Sequence, residues 1–240
     1  MTRNDRLVEF GAGSGILTAE IARRAAHVLA IEVDPALAAG LARRFFSEPG
    51  VTVLLADARD APLPATPYRV LANLPFQVTA AVLRRLLDDP AGGLQRADLV
   101  VQWQVARARD QSSPGPPTDL LGASWGPWWE FRRGRRLPAR LFRPPPSVDA
   151  AVLVVTRRPS PLLAHEDAQR YVSFVRRAFE RSRVDRFVSD QASKHGARNA
   201  LRALNVRSRA EARDLSVDQW IGLFRAVGRS GGQAAASTRA

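Results

Sequence analysis

The sequence predicts an α/β fold in which a doubly wound sheet is followed by a small helical domain. Two observations support this prediction. Short apolar runs alternate with helix-like segments over residues 7–101, which is typical of strands connected by helices. Beyond residue 158 the apolar spacing becomes helical throughout. We therefore expect a cofactor-binding sheet domain over residues 1–158, a helical domain over residues 159–228 and a disordered tail over residues 229–240.

The predicted elements follow in chain order. Strands are expected at residues 7–10, 28–32, 51–55, 70–72, 98–102 and 150–156. Helices are expected at residues 16–26, after Pro35, and at residues 79–87, 167–181, 191–204 and 216–227. The strands are apolar runs of the usual strand length, whereas the helices repeat apolar residues every three or four positions. Residues 111–118 are rich in proline, glycine and serine, which predicts a loop that could close over a substrate.

Composition excludes several classes of protein. The chain of 240 residues contains no cysteine, so disulfides and thiolate metal sites are excluded. The three histidines, His27, His165 and His195, lack metal-ligand spacing, and we expect no bound metal. There is no apolar run near the roughly 20 residues that a membrane span needs. The first residues lack the apolar region of a signal peptide, so we expect none. We therefore expect a cytoplasmic protein, and we expect it to be a monomer.

The net positive charge of the chain comes entirely from the residues beyond position 100. The net charge is +13, yet the first 100 residues carry 11 basic and 11 acidic residues. All of the excess therefore lies beyond residue 100, where 25 basic residues face 12 acids. All basic residues except Lys194 are arginines, whose planar guanidinium suits phosphate and base contacts. A neutral half joined to a basic half predicts a polyanionic substrate.

A glycine-rich turn follows the first predicted strand. Gly11, Gly13 and Gly15 would let the backbone approach a ligand closely and would direct helix N–H groups towards it. The dinucleotide fingerprint needs a glycine at the position that Ile16 occupies. The pattern Glu-x-Gly-x-Gly-x-Gly, which begins at Glu9, therefore favours S-adenosylmethionine (SAM) over a nicotinamide dinucleotide.

Acidic residues lie at the end of the second predicted strand and just after the third. Glu32 lies 17 residues after Gly15 and can accept the ribose hydroxyls of a nucleoside; the alternative is a charge at a helix start, a role that Asp34 fits better. Asp57 can accept from an adenine amino group while Ala58 leaves room for the ring, although a solvated loop acid is the alternative.

The fourth strand end carries Asn73, Leu74, Pro75 and Phe76. The Asn73 amide oxygen and the Leu74 carbonyl can accept the two N–H bonds of an exocyclic amino group, and so redirect its delocalised lone pair. Pro75 fixes the backbone, and Phe76 offers a stacking face for a flipped base. An ordinary strand-to-helix turn is the alternative. Four strand ends with suitable groups in order predict a Rossmann-like, SAM-dependent methyltransferase.

A run of six arginines without an acid lies in the basic half. These are Arg132, Arg133, Arg135, Arg136, Arg140 and Arg143. Four aromatic residues lie at its start: Trp125, Trp128, Trp129 and Phe131. We predict that the arginines bind RNA. The aromatic residues either stack on unpaired bases or pack in the core, and the sequence leaves both open.

These segments together resemble the rRNA adenine N6-methyltransferases. The resemblance rests on Glu9-Phe-Gly-Ala-Gly-Ser-Gly15, Ile31-Glu-Val-Asp34, Asp57-Ala58, Asn73-Leu-Pro-Phe76 and Phe142-Arg-Pro-Pro-Pro-Ser-Val-Asp149, and it extends over about residues 5–227. Phe76, the stretch Leu99-Val-Val-Gln-Trp-Gln-Val-Ala-Arg107, the spacing of Trp125, Trp128 and Trp129, and Arg135-Arg-x-Pro look most like actinobacterial erythromycin-resistance (Erm) proteins.

The resemblance implies SAM as cofactor, 23S rRNA as partner and N6-methylated or N6,N6-dimethylated adenine as product, which would hinder macrolide, lincosamide and streptogramin B binding. The implied cofactor-binding residues are Glu9, Gly11, Ala12, Gly13, Glu32, Val33, Asp57, Ala58 and Asn73. The implied catalytic residues are Asn73, Leu74, Pro75 and Phe76. Two alternatives are the KsgA type, which acts on small-subunit rRNA, and a non-catalytic nucleic-acid-binding relative. A small-molecule methyltransferase would leave the basic half unexplained.

The sequence departs from this family at its start. Family members have a segment before the first strand with a Gln-(Asn/His)-Phe motif that closes over the cofactor. Only six residues precede Leu7 here, and none matches this motif. We therefore expect either a start that lies further upstream or weak SAM binding by this form.

Overall fold

The structure is a computed structural model that describes residues 2–73, 75–110, 119–181 and 183–228. The predicted catalytic residue Leu74, the predicted loop at residues 111–118 and the predicted tail at residues 229–240 lie outside the described residues.

The described chain contains a seven-stranded mixed sheet in the order β3-β2-β1-β4-β5-β7-β6. The strands are β1 (Arg6–Phe10), β2 (His27–Glu32), β3 (Val51–Leu55), β4 (Tyr68–Ala72), β5 (Leu94–Gln102), β6 (Trp129–Leu137) and β7 (Ala150–Arg157). Strands β1 to β5 pair in parallel, and β7 pairs with β5 in the antiparallel direction. This topology confirms the predicted α/β class with a Rossmann-like sheet.

Helices connect three successive pairs of the parallel strands, whereas residues 56–67 between β3 and β4 form no helix. Helices also make up most of the described chain beyond β7. They are α1 (Ile16–Ala22), α2 (Pro35–Arg44), α3 (Phe76–Leu87), α4 (Trp103–Arg107), α5 (Leu120–Trp125), α6 (Ala168–Phe179), α7 (Val184–Gln191), α8 (Lys194–Ala203) and α9 (Val217–Leu223). A π-helical turn, Phe224–Gly228, continues from α9. Short 3-10 helices lie at Ala139–Leu141, His165–Asp167 and Ala212–Asp214.

The centre of the sheet is buried on both faces. In β1 every residue after Arg6 is buried, including Val8 and Phe10, which have no exposed surface. Val28 in β2 and Val70 in β4 are likewise fully buried. Parallel strands that are covered by helices on both faces have nearly continuous apolar sequences. For this reason the sequence predicts the central strands.

The chain forms two compact units whose boundaries differ from a simple division at residue 158. The first unit comprises residues 1–107 and 132–157, and the second comprises residues 108–131 together with the chain from Arg158 onward. The predicted sheet domain included the segment before β6, whereas the structure groups that segment with the carboxyl-terminal helices.

Packing within the second unit explains why this early segment belongs there. The Tyr171 hydroxyl on α6 donates a hydrogen bond to the Ala123 carbonyl on α5 at 3.0 Å. The Trp128 ring meets Tyr171 edge-on at 5.8 Å, and Trp125 lies 6.0 Å from Trp128. The four aromatic residues that could have stacked on bases are all buried, so core packing is the alternative observed: Trp125, Trp128, Trp129 and Phe131.

Several predicted boundaries are corrected by the structure. Strand β5 begins at Leu94 rather than at residue 98, and α3 begins at Phe76 rather than at residue 79. Helix α1 ends at Ala22 rather than at residue 26, because the chain must turn back into β2 and the Ala26 N–H donates to the Asp5 carbonyl at 3.0 Å. The helix expected at residues 191–204 is preceded by a separate helix, α7, whose buried Val184, Phe187 and Val188 follow helical spacing.

Candidate functional site

The ends of β3, β2, β1 and β4 meet along one edge of the sheet. Phe10 is aligned with Ile31 on one side and with Ala72 on the other, and Glu32 is aligned with Leu55. Parallel strands lie about 4.8 Å apart, so these four ends extend over roughly 14 Å. All four predicted segments, which follow directly after these strands, therefore start at the same edge.

The glycine loop after β1 lies against the end of β2. The N–H groups of Gly11 and Ala12 donate to the Ile31 carbonyl at 2.9 and 3.2 Å. Gly11, Gly13 and Gly15 have φ angles of 71°, 56° and 78°, in the left-handed region that favours glycine. The loop therefore presents backbone at the sheet edge with no side chain at these three positions.

Glu32 connects this loop to the end of its own strand. Its Oε2 accepts the Gly13 N–H at 2.8 Å, and its Oε1 accepts the N–H groups of Val33 and Asp34 at 2.9 and 3.0 Å. A carboxylate has about four acceptor positions, so about one remains for a ligand hydroxyl. Val33 is exposed next to Glu32 and offers an apolar surface to a ring.

Glu9 is a buried carboxyl group in β1, only 2% exposed. Its Oε2 has no hydrogen-bond partner among the described residues. Burial raises the pKa of Glu9 to about 7; the Thr18 hydroxyl opposes this shift, and the charge of Glu32 adds to it. A buried carboxyl without compensation is costly, and a positively charged ligand at this edge would relieve that cost.

Asp57 is already engaged by a residue that the sequence did not single out. Arg59 donates its backbone N–H at 2.8 Å, its Nε at 3.0 Å and its Nη2 at 2.6 Å to the Asp57 carboxylate. The hydrogen bonds from Arg59 lower the pKa of Asp57 to about 2. Asp57 can accept from a ligand amino group only if Arg59 releases part of the carboxylate. The neighbouring Ala58 is buried.

The turn after β4 is held by hydrogen bonds at the start of α3. Pro75 has φ −53° and ψ 137° and occupies the position before the helix. Its carbonyl accepts the Val78 N–H at 3.1 Å and the Thr79 hydroxyl at 3.3 Å. This turn is therefore well defined where it leads into the helix.

The side chains of this turn that can meet a ligand are Asn73 and Phe76. Asn73 follows directly after Ala72, which pairs with Phe10, so it lies one strand away from the glycine loop. Its side chain is exposed, and Phe76, the first residue of α3, is half-buried. The structure thus brings an amide and an aromatic ring to the edge that carries the glycine loop.

The six predicted RNA-binding arginines follow one another along β6 and the segment after it. Arg132, Arg133, Arg135 and Arg136 lie on β6, Arg140 lies in the following 3-10 helix, and Arg143 lies just beyond it. All are exposed except Arg133, which is half-buried. They form a positive surface in the first unit, although Arg136 is ion-paired with Asp149 at 2.7 Å.

The donor set of this edge fits SAM, which carries a positively charged sulfonium and ammonium group. Glu9 supplies a buried carboxyl, Glu32 an acceptor and Val33 an apolar surface. Within the described residues, no group of three or more histidine or acidic side chains could hold a metal ion. Nor does this part of the chain include a helix of the length and apolar character that a bilayer crossing needs.

Comparison with known proteins gives a family match over all of the described chain. The model of the family described as "Ribosomal RNA adenine dimethylase" matches residues 1–228. This range includes both compact units and each of the predicted site segments.

Two curated relatives are similar over most of this chain. The "rRNA adenine N-6-methyltransferase" of Corynebacterium diphtheriae is 38% identical over 173 residues, which are 72% of this chain and 66% of that protein. The "Mycinamicin-resistance protein MyrB" of Micromonospora griseorubida is also 38% identical over 173 residues, 72% of this chain and 53% of its own length. The matches thus cover between about half and two thirds of these relatives.

A solved structure resembles the fold of the whole chain. The "23S rRNA methyltransferase ErmE" has a TM-score of 0.83 and 28% sequence identity. The match covers 95% of this chain and 92% of that one.

Proposed function

Because the chain belongs to the ribosomal RNA adenine dimethylase family, we propose that it transfers methyl groups from SAM to the N6 nitrogen of an adenine in 23S rRNA. The similar chains named for 23S rRNA methylation and for mycinamicin resistance support this substrate. Methyl groups on that adenine would obstruct macrolide, lincosamide and streptogramin B binding. The protein would act in the cytoplasm, where ribosomes are found.

The observation that carries the proposal is the spacing of Asn73 from the glycine loop. Asn73 follows the strand that pairs directly with β1, so one strand separation, about 4.8 Å, lies between the two segments at their bases. A base held by the turn after β4 would therefore face a ligand held by the glycine loop. This spacing suits the transfer of a single carbon group between two bound molecules.

SAM, when bound, supplies an electrophilic methyl group. Gly11, Ala12 and Gly13 would hold its methionine portion with Glu9 beneath. The ribose would bind to Glu32, and the adenine would lie against Val33 and Ala58, with its amino group directed towards Asp57.

The chain's own residues would then align the target base. Asn73 would accept one N–H of the target amino group through its amide oxygen, and the Leu74 carbonyl would accept the other. Pro75 keeps the turn in place, and Phe76 would stack on the flipped base. No general base is needed. The methyl–sulfur bond would break as the new N–C bond forms, leaving a neutral thioether, and the amino proton, now acidic, would pass to water. Alignment of the two reactants would supply most of the rate acceleration. In favourable cases such alignment lowers the activation barrier by about 7–11 kcal/mol.

The deciding experiment is methylation with radiolabelled SAM of deproteinised 23S rRNA, 16S rRNA and intact 30S subunits in parallel. Label in 23S rRNA that Asn73→Ala abolishes supports the proposal. Asn199→Ala, an exposed asparagine on α8, is the matched control and should retain full activity. A thermal melt of Asn73→Ala separates loss of chemistry from loss of fold, and calorimetry shows whether the variant still binds SAM.

The other outcomes assign the alternatives. Label only in 16S rRNA or 30S subunits would replace the proposal with a small-subunit rRNA methyltransferase. SAM binding without label in any RNA would favour a nucleic-acid-binding relative without catalysis. Near-normal transfer by Asn73→Ala would remove Asn73 from the mechanism.

A further inference from the structure

Trp103 lies just beyond the end of β5, at the same edge as the candidate cofactor site. Strands β4 and β5 are parallel, and Ala72 at the end of β4 pairs with Leu99. Strand β5 continues for three more residues to Gln102, which at about 3.3 Å per residue is roughly 10 Å. Trp103 therefore lies beyond the turn that begins at Asn73, at the same edge of the sheet.

Two arginines of the neighbouring basic segment lie over the Trp103 ring. The Arg133 guanidinium is 4.7 Å from the ring centroid, and the Arg136 guanidinium is 5.1 Å from it. Trp103 is half-buried, unlike Trp128 and Trp129 in the core. A half-exposed tryptophan that contacts two cations is an electrostatic support for their guanidinium groups.

Asp149 contacts the same cluster through both its carboxylate and its backbone carbonyl. Its Oδ2 accepts from Arg136 Nε at 2.8 Å and lies 2.7 Å from Arg136 Nη2, and its backbone carbonyl accepts the Trp103 N–H at 2.9 Å. Its Oδ1 accepts the Ala139 N–H at 2.9 Å. The Ala139 hydrogen bond and the Arg136 charge lower the pKa of Asp149, so it is ionised at neutral pH. All of these residues belong to the first compact unit.

The charged residues named in this cluster carry more positive than negative formal charge. Arg133, Arg136 and Arg140 contribute three positive charges, and Arg140 is close enough to affect the Asp149 carboxyl. A guanidinium held over a ring loses less freedom when it binds, and its outer N–H groups can face an anion. Phosphate is the anion that this fork-shaped donor geometry suits best.

From this arrangement we infer that Trp103, Arg133 and Arg136 form a platform for a backbone phosphate next to the target adenine. Trp103 is a positioning residue that holds the two guanidinium groups in place. The inference rests on the proposed function for the identity of the RNA, and it adds a residue outside the arginine run to the RNA-binding surface.

The test measures RNA affinity directly, without relying on methyl transfer. Binding of a fluorescent hairpin from 23S rRNA is followed by anisotropy over a range of salt concentrations for Trp103→Leu and Trp103→Phe. Trp103→Leu should weaken binding by about threefold to tenfold. It should also reduce the slope of log affinity against log salt by about 0.7 to 0.9 for each phosphate that the variant no longer binds.

Three further measurements distinguish a positioning role from a structural one. Trp103→Phe keeps a ring face and should restore most of the affinity, and SAM affinity should be the same in all variants. In methylation assays Trp103→Leu should raise the KM for RNA and leave kcat nearly unchanged. Arg43→Gln, an exposed arginine in the last turn of α2, is the matched charge control and should have no effect.

An unchanged affinity and salt slope in Trp103→Leu would overturn the inference. If a thermal melt shows that Trp103→Leu is not folded, Arg133→Gln and Arg136→Gln take its place. An unchanged slope of log affinity against log salt in both variants would overturn the inference equally. If the variants show the expected changes in salt slope but the wild-type protein methylates no RNA, the proposed function fails and the platform stands.

Discussion

The Gly13 N–H donates a hydrogen bond to the Glu32 carboxylate at 2.8 Å, which connects the loop after the first strand to the end of the second. The same carboxylate accepts two further N–H groups at the start of the segment that leads into α2. One buried acid therefore organises two of the four segments at the candidate cofactor edge. A ligand hydroxyl that binds to Glu32 would meet a carboxylate that is already held in place.

Replacement of Glu32 by glutamine should weaken SAM binding by at least about tenfold. One carboxylate oxygen becomes an NH2 group, so at least one of the three backbone donors loses its acceptor. We expect the free energy of unfolding to fall by about 1–3 kcal/mol. Calorimetric titration with SAM and denaturant unfolding measure the two effects.

Asp34→Ala is the matched control for this substitution. Asp34 accepts the N–H groups of Ala36 and Leu37 as the N-cap of α2, so its loss should cost about 1 kcal/mol of stability. SAM affinity should be retained. If Glu32→Gln loses stability while keeping its SAM affinity, Glu32 supports the loop but does not contact the ligand.

Glu9 should make stability fall as the pH rises. Its pKa is about 7 in the folded protein and about 4.5 in an unfolded chain. The folded state therefore holds the proton more tightly, and stability is lost between these two values as the carboxyl ionises while buried. The loss is complete above pH 7 and amounts to at most roughly 3 kcal/mol.

The Glu9→Gln variant should match the wild-type stability near pH 4.5 and exceed it at pH 8. Unfolding in denaturant at the two pH values measures this difference. A cationic ligand favours the ionised carboxyl, so SAM binding by the wild type at pH 7 should release protons, detectable by calorimetry in two buffers of different ionisation enthalpy. A constant difference in stability across the pH range would contradict the raised pKa.

The central strands could be predicted from sequence because their environment leaves a strong local pattern. Val51–Leu55 was located to the residue, and β1 and β2 were each one residue longer than expected. The four strand-end segments were also predicted, since parallel strands place the residues after them at one edge. The roles of their side chains stay predictions.

The edge strand β6 could not be predicted in this way. From its fourth residue to its eighth, β6 carries Arg132 to Arg136, which look like a solvated loop because this stretch lacks an apolar alternation. An edge strand has one neighbour and tolerates charged side chains, so its sequence need not show the usual pattern. The contacts between Trp103 and the arginines depend on this pairing and were invisible for the same reason. The sequence likewise does not single out the Arg59–Asp57 pair, although the two residues are two positions apart, because a loop acid and a loop arginine form no distinctive pattern.

Gly15→Ala should destabilise the protein strongly. A Cβ at this position would lie 2.6 Å from Leu41 Cδ2 and 2.8 Å from a Phe45 ring carbon, and φ is 78°. The overlap and the left-handed backbone together should cost about 2–4 kcal/mol. Thermal or denaturant unfolding measures the loss.

Gly40→Ala provides the opposite control within the same unit. Nothing lies within 4 Å of a Cβ at this position in the interior of α2, so alanine should stabilise the protein by about 0.5–1 kcal/mol. Similar stabilities for the two variants would contradict the close packing of Gly15 against α2.

Arg59→Ala should tighten SAM binding if Asp57 accepts the cofactor's adenine amino group. Arg59 now occupies both oxygens of the Asp57 carboxylate, and a ligand must displace part of this contact. Both side chains are partly exposed to water, so the competition is modest and we expect a gain of about two- to fivefold in affinity. The gain should disappear when Asp57→Asn is added, because Arg59 does not form an ion pair with the uncharged amide and its removal then frees no acceptor.

Arg24→Ala, which breaks the exposed pair with Glu20 on α1, is the matched control and should leave SAM affinity unchanged. Weaker binding by Arg59→Ala would mean that the arginine itself contacts the ligand, and Asp57 would then be its anchor rather than the adenine acceptor.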